Sequence, residues 1–299
     1  MAGKIRMKSA FAAIIGRPSA GKSTLLNALC GEKVSITASV PQTTRNKIRG
    51  ILTEERGQLV FLDTPGYHNS DRKYNNYMMG VVNSSLDECE LVVYVVDSTR
   101  PMGKEEQELI DMLTASGKPL VVVLNKCDSN SQYKKDIRAF LIVNVHPESI
   151  IETSALKKEG IDELKEAIFK AAPEGPPMYP DDFYTDQEPE FRIAEIIREK
   201  AISKLSQEIP HATYVEISDM EMKGEGDKQK LWVRAFVTVE KESQKGMVIG
   251  KGGDQIKQIR REAVSELNKI FPYKIQLDLR VKVNPKWRTK DYLLKGMIK

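Results

Sequence analysis

The stretch Phe11-Ala12-Ala13-Ile14-Ile15-Gly16-Arg17-Pro18-Ser19-Ala20-Gly21-Lys22-Ser23 decides the reading of the chain. Five apolar residues form a short buried strand. The next eight fit G-x-x-x-x-G-K-[ST], the loop that holds phosphates between a strand and a helix. Its glycines let successive backbone N–H groups turn toward an anion, and the helix that follows adds its dipole. Lys22 is expected at the β- and γ-phosphates and the Ser23 hydroxyl on Mg²⁺, with Gly16, Arg17, Pro18, Ser19, Ala20 and Gly21 supplying the rest of the cradle.

Three further motifs follow in order. Asp63-Thr64-Pro65-Gly66 closes the apolar run LVFLD, where a carboxylate beside the phosphate loop is placed to serve magnesium. Gly66 leaves room for its own N–H to meet a γ-phosphate, and Tyr67 comes next. Asn125-Lys126-Cys127-Asp128 follows the run LVVVL. The carboxylate of Asp128 can accept both N–H groups on the Watson–Crick edge of guanine; adenine offers no such pair, and a site built on those bonds rejects it. Ser154-Ala155-Leu156 then follows a strand ending at Thr153. Taken singly, D-T-P-G is an ordinary turn, N-K-x-D recurs by chance in some chains, and Ser154-Ala155-Leu156 is too short to mean anything. Four in this order, each at the C-terminal end of a strand, describe a guanine nucleotide site on an open α/β sheet.

The spacing supports that sheet. Strands are expected at 11–15, 59–62, 91–96, 120–124 and 149–153, and helices at 22–30, 104–113, 131–140 and 161–171. The runs LVVYVV and LVVVL are apolar without alternation, as in strands covered on both faces. Strands alternating with helices predict a mostly parallel sheet built from right-handed crossovers.

At 299 residues the chain has room for two domains, and 40% hydrophobic with 29% charged residues sets it apart from disordered proteins. No apolar run approaches the roughly 20 residues of a membrane-spanning helix. Cys30, Cys89 and Cys127 show no metal-ligand spacing, and His68, His146 and His211 are scattered singly. Three cysteines, which cannot all pair with one another, and an N-terminus without a cleavage pattern predict a cytoplasmic protein.

Residues 172–189, APEGPPMYPDDFYTDQEP, read as a linker, because its prolines sustain neither helix nor central strand. Its aromatics Tyr179, Phe183 and Tyr184 suit a segment strapped onto a domain surface. The chain is therefore divided at 1–171, 172–189 and 190–299. Net charge divides as well, −3 before residue 190 and +7 after it, which points the second domain toward a polyanion. That domain reads α-β-β-α-α-β, from a helix over 191–207 to a last strand KIQLDLRVKV. Between two of its helices lies Ile249-Gly250-Lys251-Gly252-Gly253, an I-G-x-x-G turn. Six basic residues stand against two acids between Lys241 and Arg261. A G-x-x-G loop lets a nucleic-acid backbone approach closely, so Ile249–Gly253 with Lys257 and Arg260 is the expected RNA contact, and Trp287 is either a platform for a base or a packed or exposed C-terminal aromatic.

Taken together these residues resemble the translation-factor-related GTPases, and closely one family among them: Era, a bacterial GTPase of small-ribosomal-subunit assembly with a C-terminal type II KH domain. The resemblance runs over nearly the whole chain, including Gln42–Arg45, Ala194–Lys200, Val281–Val283, Trp287 and Arg288. It implies hydrolysis of GTP to GDP with Mg²⁺, with Lys22, Thr44 and Gly66 carrying the reaction and Ser23, Thr44 and Asp63 serving the metal. Residues 40–45 become the first switch, with Thr44 (or, as second choice, Thr43) closing on the metal. It also implies binding to the 3′ end of the small-subunit (16S) ribosomal RNA and peripheral association with the inner membrane; the chain is expected to act as a monomer. Tyr67 stands where Ras-like proteins carry a water-orienting glutamine, so slow unaided hydrolysis is expected. Ser19 replaces the family's usual asparagine, which argues against potassium activation. The rival reading is a membrane-associated signalling GTPase whose KH domain docks a protein partner.

Overall fold

The computed structural model describes residues 7–38, 43–67, 73–205, 209–226 and 229–289. Chain contacts divide it into two units, one built mainly from residues up to 186 and one from 187 onward.

The first unit is a six-stranded sheet. Its strands are β1 (Lys8–Ile15), β2 (Ile48–Glu54), β3 (Gly57–Asp63), β4 (Leu91–Asp97), β5 (Leu120–Asn125) and β6 (Ser149–Glu152), in the order β2-β3-β1-β4-β5-β6. All neighbours run parallel except the β2–β3 hairpin. The helices are α1 (Lys22–Cys30), α2 (Lys73–Glu88), α3 (Lys104–Ala115), α4 (Lys134–Val145) and α5 (Ile161–Ala171). Every residue of β3, β4 and β5 is buried, as expected of strands covered on both faces. Sequence reading missed β2 and α2. The first is an edge strand interrupted by Gly50, and the second is mostly polar, so neither carries a strong apolar period.

Residues 172–186 group with this first unit. Gln58 accepts from the backbone N–H of Met178 and Tyr179 at 2.7 and 2.8 Å, and the Ile51 N–H donates to the Tyr184 carbonyl at 2.9 Å. The Tyr179 hydroxyl donates to Asp186, which also holds Arg49. The proline-rich segment is thus a strap whose backbone groups are satisfied along the β2–β3 hairpin.

The second unit has a three-stranded sheet, β7 (Tyr214–Lys223), β8 (Lys230–Val239) and β9 (Lys274–Val283), with β8 in the middle, antiparallel to β7 and parallel to β9. Helices α6 (Pro189–Ile202), α7 (Glu242–Ile249) and α8 (Asp254–Ile270) complete it. Alternate residues of β8, namely Leu231, Val233, Ala235 and Val237, pack with Ile193, Ile197, Ile259, Ala263 and Leu267 into its own core. The expected end of α6 at Gln207 lies outside the described residues; the helix stops at Ile202.

Trp287 belongs to this interior. It is fully buried, its indole N–H donates to the Ala212 carbonyl at 2.9 Å, and its ring lies 4.8 Å from that of Tyr214. The expectation that it stacks on a base is therefore corrected. Both the flat apolar ring and its polar handle are already used inside the fold.

Candidate functional site

Four loops meet at the C-terminal edge of the first sheet. The loop after β1 leads through Gly21, at φ +94°, into α1, whose N-terminus has no side-chain cap. The N–H groups of its first turn therefore remain suited to an anion. Lys22 is buried, and its ammonium donates to the carbonyls of Gly16 and Arg17 at 3.0 and 3.1 Å. Burial pulls its pKa down to about 8, with the Asp63 carboxylate working the other way. Arg17 turns outward to Glu105 and Glu106, so it offers the cradle its backbone only. Arg100 caps the same loop through the Pro18 carbonyl at 3.3 Å. Ser19 sits in left-handed backbone at φ +64°, beside buried Ala20.

Asp63, fully buried at the end of β3, gathers hydroxyls. Its Oδ2 accepts from Ser23 at 2.7 Å, from Ser35 at 2.9 Å and from Thr44 at 3.4 Å, and the Ser23 and Thr44 hydroxyls lie 2.8 Å apart. Burial raises the Asp63 pKa, against the opposing effects of Lys22 and the hydroxyls. Its other oxygen, Oδ1, is buried without a hydrogen-bond partner among the described residues. An all-oxygen set with an orphaned carboxylate oxygen fits a small hard cation such as Mg²⁺. Of the expected first switch, Thr44 lies in this cluster, Thr43 groups with the second unit and gives its carbonyl to Arg198, and Val40, Pro41 and Gln42 lie outside the described residues.

The turn after β3 is pinned to the phosphate loop. Thr64 donates to the Ile14 carbonyl at 2.9 Å and the Tyr67 N–H to the Gly16 carbonyl at 3.1 Å. A Cβ on Gly66 would stand 2.6 Å from Pro18 Cα, so the approach of the Pro65–Gly66 turn to the loop requires glycine. The Tyr67 side chain packs against the sheet core, with its phenol raised in pKa by burial and by Glu108. His68 lies outside the described residues.

The loops after β5 and β6 are tied together by Asn125. Its amide donates to the Ala20 carbonyl at 2.9 Å and accepts from the Thr153 hydroxyl at 3.1 Å and the Ala155 N–H at 3.0 Å. Asp128 is exposed, and a hydrogen bond from Ser154 holds its carboxyl below the ordinary range. Lys126, at φ +66°, donates to Asp97 at 2.8 Å. Burial acts to raise the Asp97 carboxyl, and the bonds from Lys126 and Thr99 outweigh it. Leu156 is exposed. Sequence reading missed Ser35 and Asp97; the acid ending LVVYVVD, aligned with Asn125 across β4 and β5, was the available signal for the latter.

In the second unit, α7 ends at Ile249 and α8 begins at Asp254. Gly250, Gly252 and Gly253 between them all have positive φ, and Lys251 and Gly252 are exposed. Lys257, exposed, lies 3.7 Å from Asp254 and donates to the Gly252 carbonyl at 3.3 Å. Arg260 is exposed on the next turn, 3.4 Å from the Leu277 carbonyl.

A strand–loop–helix phosphate site with a guanine-reading loop, followed by a KH fold, defines a P-loop GTPase with a nucleic-acid-binding module. Family models agree: one described as 50S ribosome-binding GTPase matches residues 11–126, and one described as KH domain matches 208–288. The chain is 50% identical to GTPase Era of Treponema denticola, covering 97% of this chain and 99% of that one. It is 46% identical to GTPase Era of Borreliella afzelii, covering 98% and 100%. The fold matches a tyrosine variant of Aquifex aeolicus Era bound to GDP and AlF4⁻ with a TM-score of 0.91 at 32% identity, covering 98% of this chain and all of that one. An Era in complex with MgGDPNP and nucleotides 1506–1542 of 16S ribosomal RNA matches with the same score and coverage at 33% identity. The chain belongs to the Era family of GTPases.

Proposed function

We propose that this protein binds GTP and GDP with Mg²⁺, hydrolyses GTP slowly by itself, and binds the 3′ end of 16S ribosomal RNA through Ile249–Gly253, Lys257 and Arg260 during small-subunit assembly. The observation that carries the first part is the convergence of the four motifs at the ends of β1, β3, β5 and β6. The second part is supported by the Era that was solved with 16S nucleotides, which is similar over 98% of this chain.

Ser23, Thr44 and Asp63 are the residues suited to hold Mg²⁺, which when bound neutralises charge on the phosphate oxygens. Lys22 exchanges its two carbonyl partners for the β- and γ-phosphates. The Gly66 N–H faces the γ-phosphate, and Asp128 reads the guanine edge. The Tyr67 phenol, whose ring packs on the core, lacks the amide that orients water in Ras-like proteins, so unaided hydrolysis is slow and a partner or ion completes the site. The cytoplasmic reading rests on the cysteines and the N-terminus, peripheral membrane contact rests on the family resemblance alone, and action as a monomer completes the proposal. Among the described residues no helix is long and apolar enough to cross a membrane.

The test is filter binding of an RNA carrying the small-subunit 3′ end, with salt titrated. Contacts through several lysines and arginines lose affinity steeply as salt rises. Absence of binding, or binding indifferent to salt, would favour the protein-docking alternative.

A further inference from the structure

The geometry points to Ser35, held in place by Asn27, as a positioning residue that keeps the Asp63 carboxylate set for the divalent cation. The inference rests on the Mg²⁺–nucleotide reading of the site.

Asn27 lies on α1, one turn beyond Ser23, and spends its whole amide on one short segment. Its Nδ2 donates to the Ser35 carbonyl at 2.8 Å, and its Oδ1 accepts from the N–H groups of Val34 and Ser35, each at 2.8 Å. Two hydrogen bonds to Ser35 and a third to its neighbour Val34 thus fix the segment to the helix that carries the phosphate loop. The Ser35 side chain, 2% exposed, donates to Asp63 Oδ2 at 2.9 Å. Ser23 donates to the same oxygen at 2.7 Å, while Thr44 stands off at 3.4 Å.

These distances divide the labour. A carboxylate oxygen has two lone-pair sites, and Ser23 and Ser35 fill both on Oδ2. The carboxylate is thereby held in one rotamer with Oδ1 left bare. A buried, bare carboxylate oxygen is costly unless a cation comes to it. Ser23 also has to offer its oxygen to the metal, and Thr44 belongs to the expected switch. Ser35 alone of the three has no second duty and is pinned by helix α1. It can hold Asp63 whether or not Thr44 is in place. No motif marks it, because a serine in a polar loop and an asparagine in a helix are unremarkable apart.

The experiment uses the full chain and release of a fluorescent GDP, with Mg²⁺ titrated up from chelator. In the parent, Mg²⁺ is expected to slow release. Ser35→Ala is expected to raise the Mg²⁺ concentration needed for half the effect by about tenfold, as loss of a hydrogen bond to a charged group implies. Release in chelator should stay within about twofold of the parent, which separates positioning from a general loosening of the fold. Asn27→Ala should shift the midpoint the same way. An unshifted midpoint in Ser35→Ala, or an equal acceleration in chelator, overturns the inference. If that variant fails to fold, Ser35→Cys keeps the side chain's shape, slightly enlarged, while weakening the donor, and an unshifted midpoint there overturns it equally. A parent without any Mg²⁺ effect would instead sink the cation reading itself, and this inference with it.

Discussion

The side-chain amide of Asn125 donates to the backbone carbonyl of Ala20 at 2.9 Å, tying the base-reading loop to the phosphate loop across the sheet edge. The same amide accepts from Thr153 and Ala155, so one buried side chain fastens three of the four nucleotide loops. Asn125→Ala leaves a carbonyl and two donors without their partner. It should lower the stability of the nucleotide-free protein by about 3 kcal/mol and weaken GTP and GDP alike. Thermal unfolding and nucleotide titration of the same preparation check both parts.

Asp128 behaves differently because it is exposed and fastens nothing in the core. Asp128→Asn should leave the melting temperature unchanged while weakening GTP by a hundredfold or more, since the guanine edge then faces a donor. The amide presents the pattern that suits xanthine, so xanthosine triphosphate should gain affinity. Equal GTP affinity in variant and parent would contradict the assignment.

Tyr67 carries its contribution in the backbone, through the N–H that meets the Gly16 carbonyl. Its ring packs, partly buried, against the sheet core, and its phenol meets Glu108. Tyr67→Phe should therefore change single-turnover GTP hydrolysis by less than about threefold. A hundredfold loss, about 2.7 kcal/mol of barrier, would show that the phenol takes part.

Ser19 has a short side chain at a left-handed position of the loop, where the family resemblance leads one to expect an asparagine. A hydroxyl reaches less far than an amide oxygen, so hydrolysis in potassium and in sodium at equal ionic strength should agree within about twofold. A large gain specific to potassium would mean that other groups build a cation site.

The strands and helices that were legible from sequence are those whose burial is carried by their own pattern. LVVYVV and LVVVL are covered on both faces, and the helices expected at 22–30 and 161–171 have the ends the structure gives them. What escaped was set by tertiary context. The edge strand β2 pairs through its backbone, α2 has little apolar stripe, and Ser35 matters only because Asn27 and Asp63 converge on it. Of the two readings of Trp287, packing holds and the base platform falls, for a related reason. A C-terminal aromatic beside basic residues looks like a base platform until Ala212 and Tyr214 are seen to enclose it. Trp287→Phe should accordingly cost about 2 kcal/mol of stability, from a lost buried hydrogen bond and unfilled volume. RNA affinity measured well below the unfolding transition should stay within about twofold of the parent.

The glycines of the Ile249–Gly253 turn are not equivalent, and that selects the decisive variant for RNA. A Cβ on Gly250 would stand 2.7 Å from Gln255 Cβ, so substitution there disturbs the turn itself. At Gly253 the nearest neighbour of an added Cβ is the end of the Lys257 chain, at 3.8 Å. The backbone there is left-handed at φ +80°, a region aspartate enters more readily than most residues. Gly253→Asp should therefore fold. It sets bulk and negative charge where an RNA backbone would lie against the turn, so sterics and Coulomb repulsion both oppose binding. The nucleotide site belongs to the other unit, with its own core. The expected outcome is loss of binding to an RNA carrying the small-subunit 3′ end, by a factor of about thirty or more, with GTP affinity and basal hydrolysis within twofold of the parent. Retained RNA affinity would refute the assignment of this turn, and lost GTP binding in a folded variant would refute the separability of the two sites.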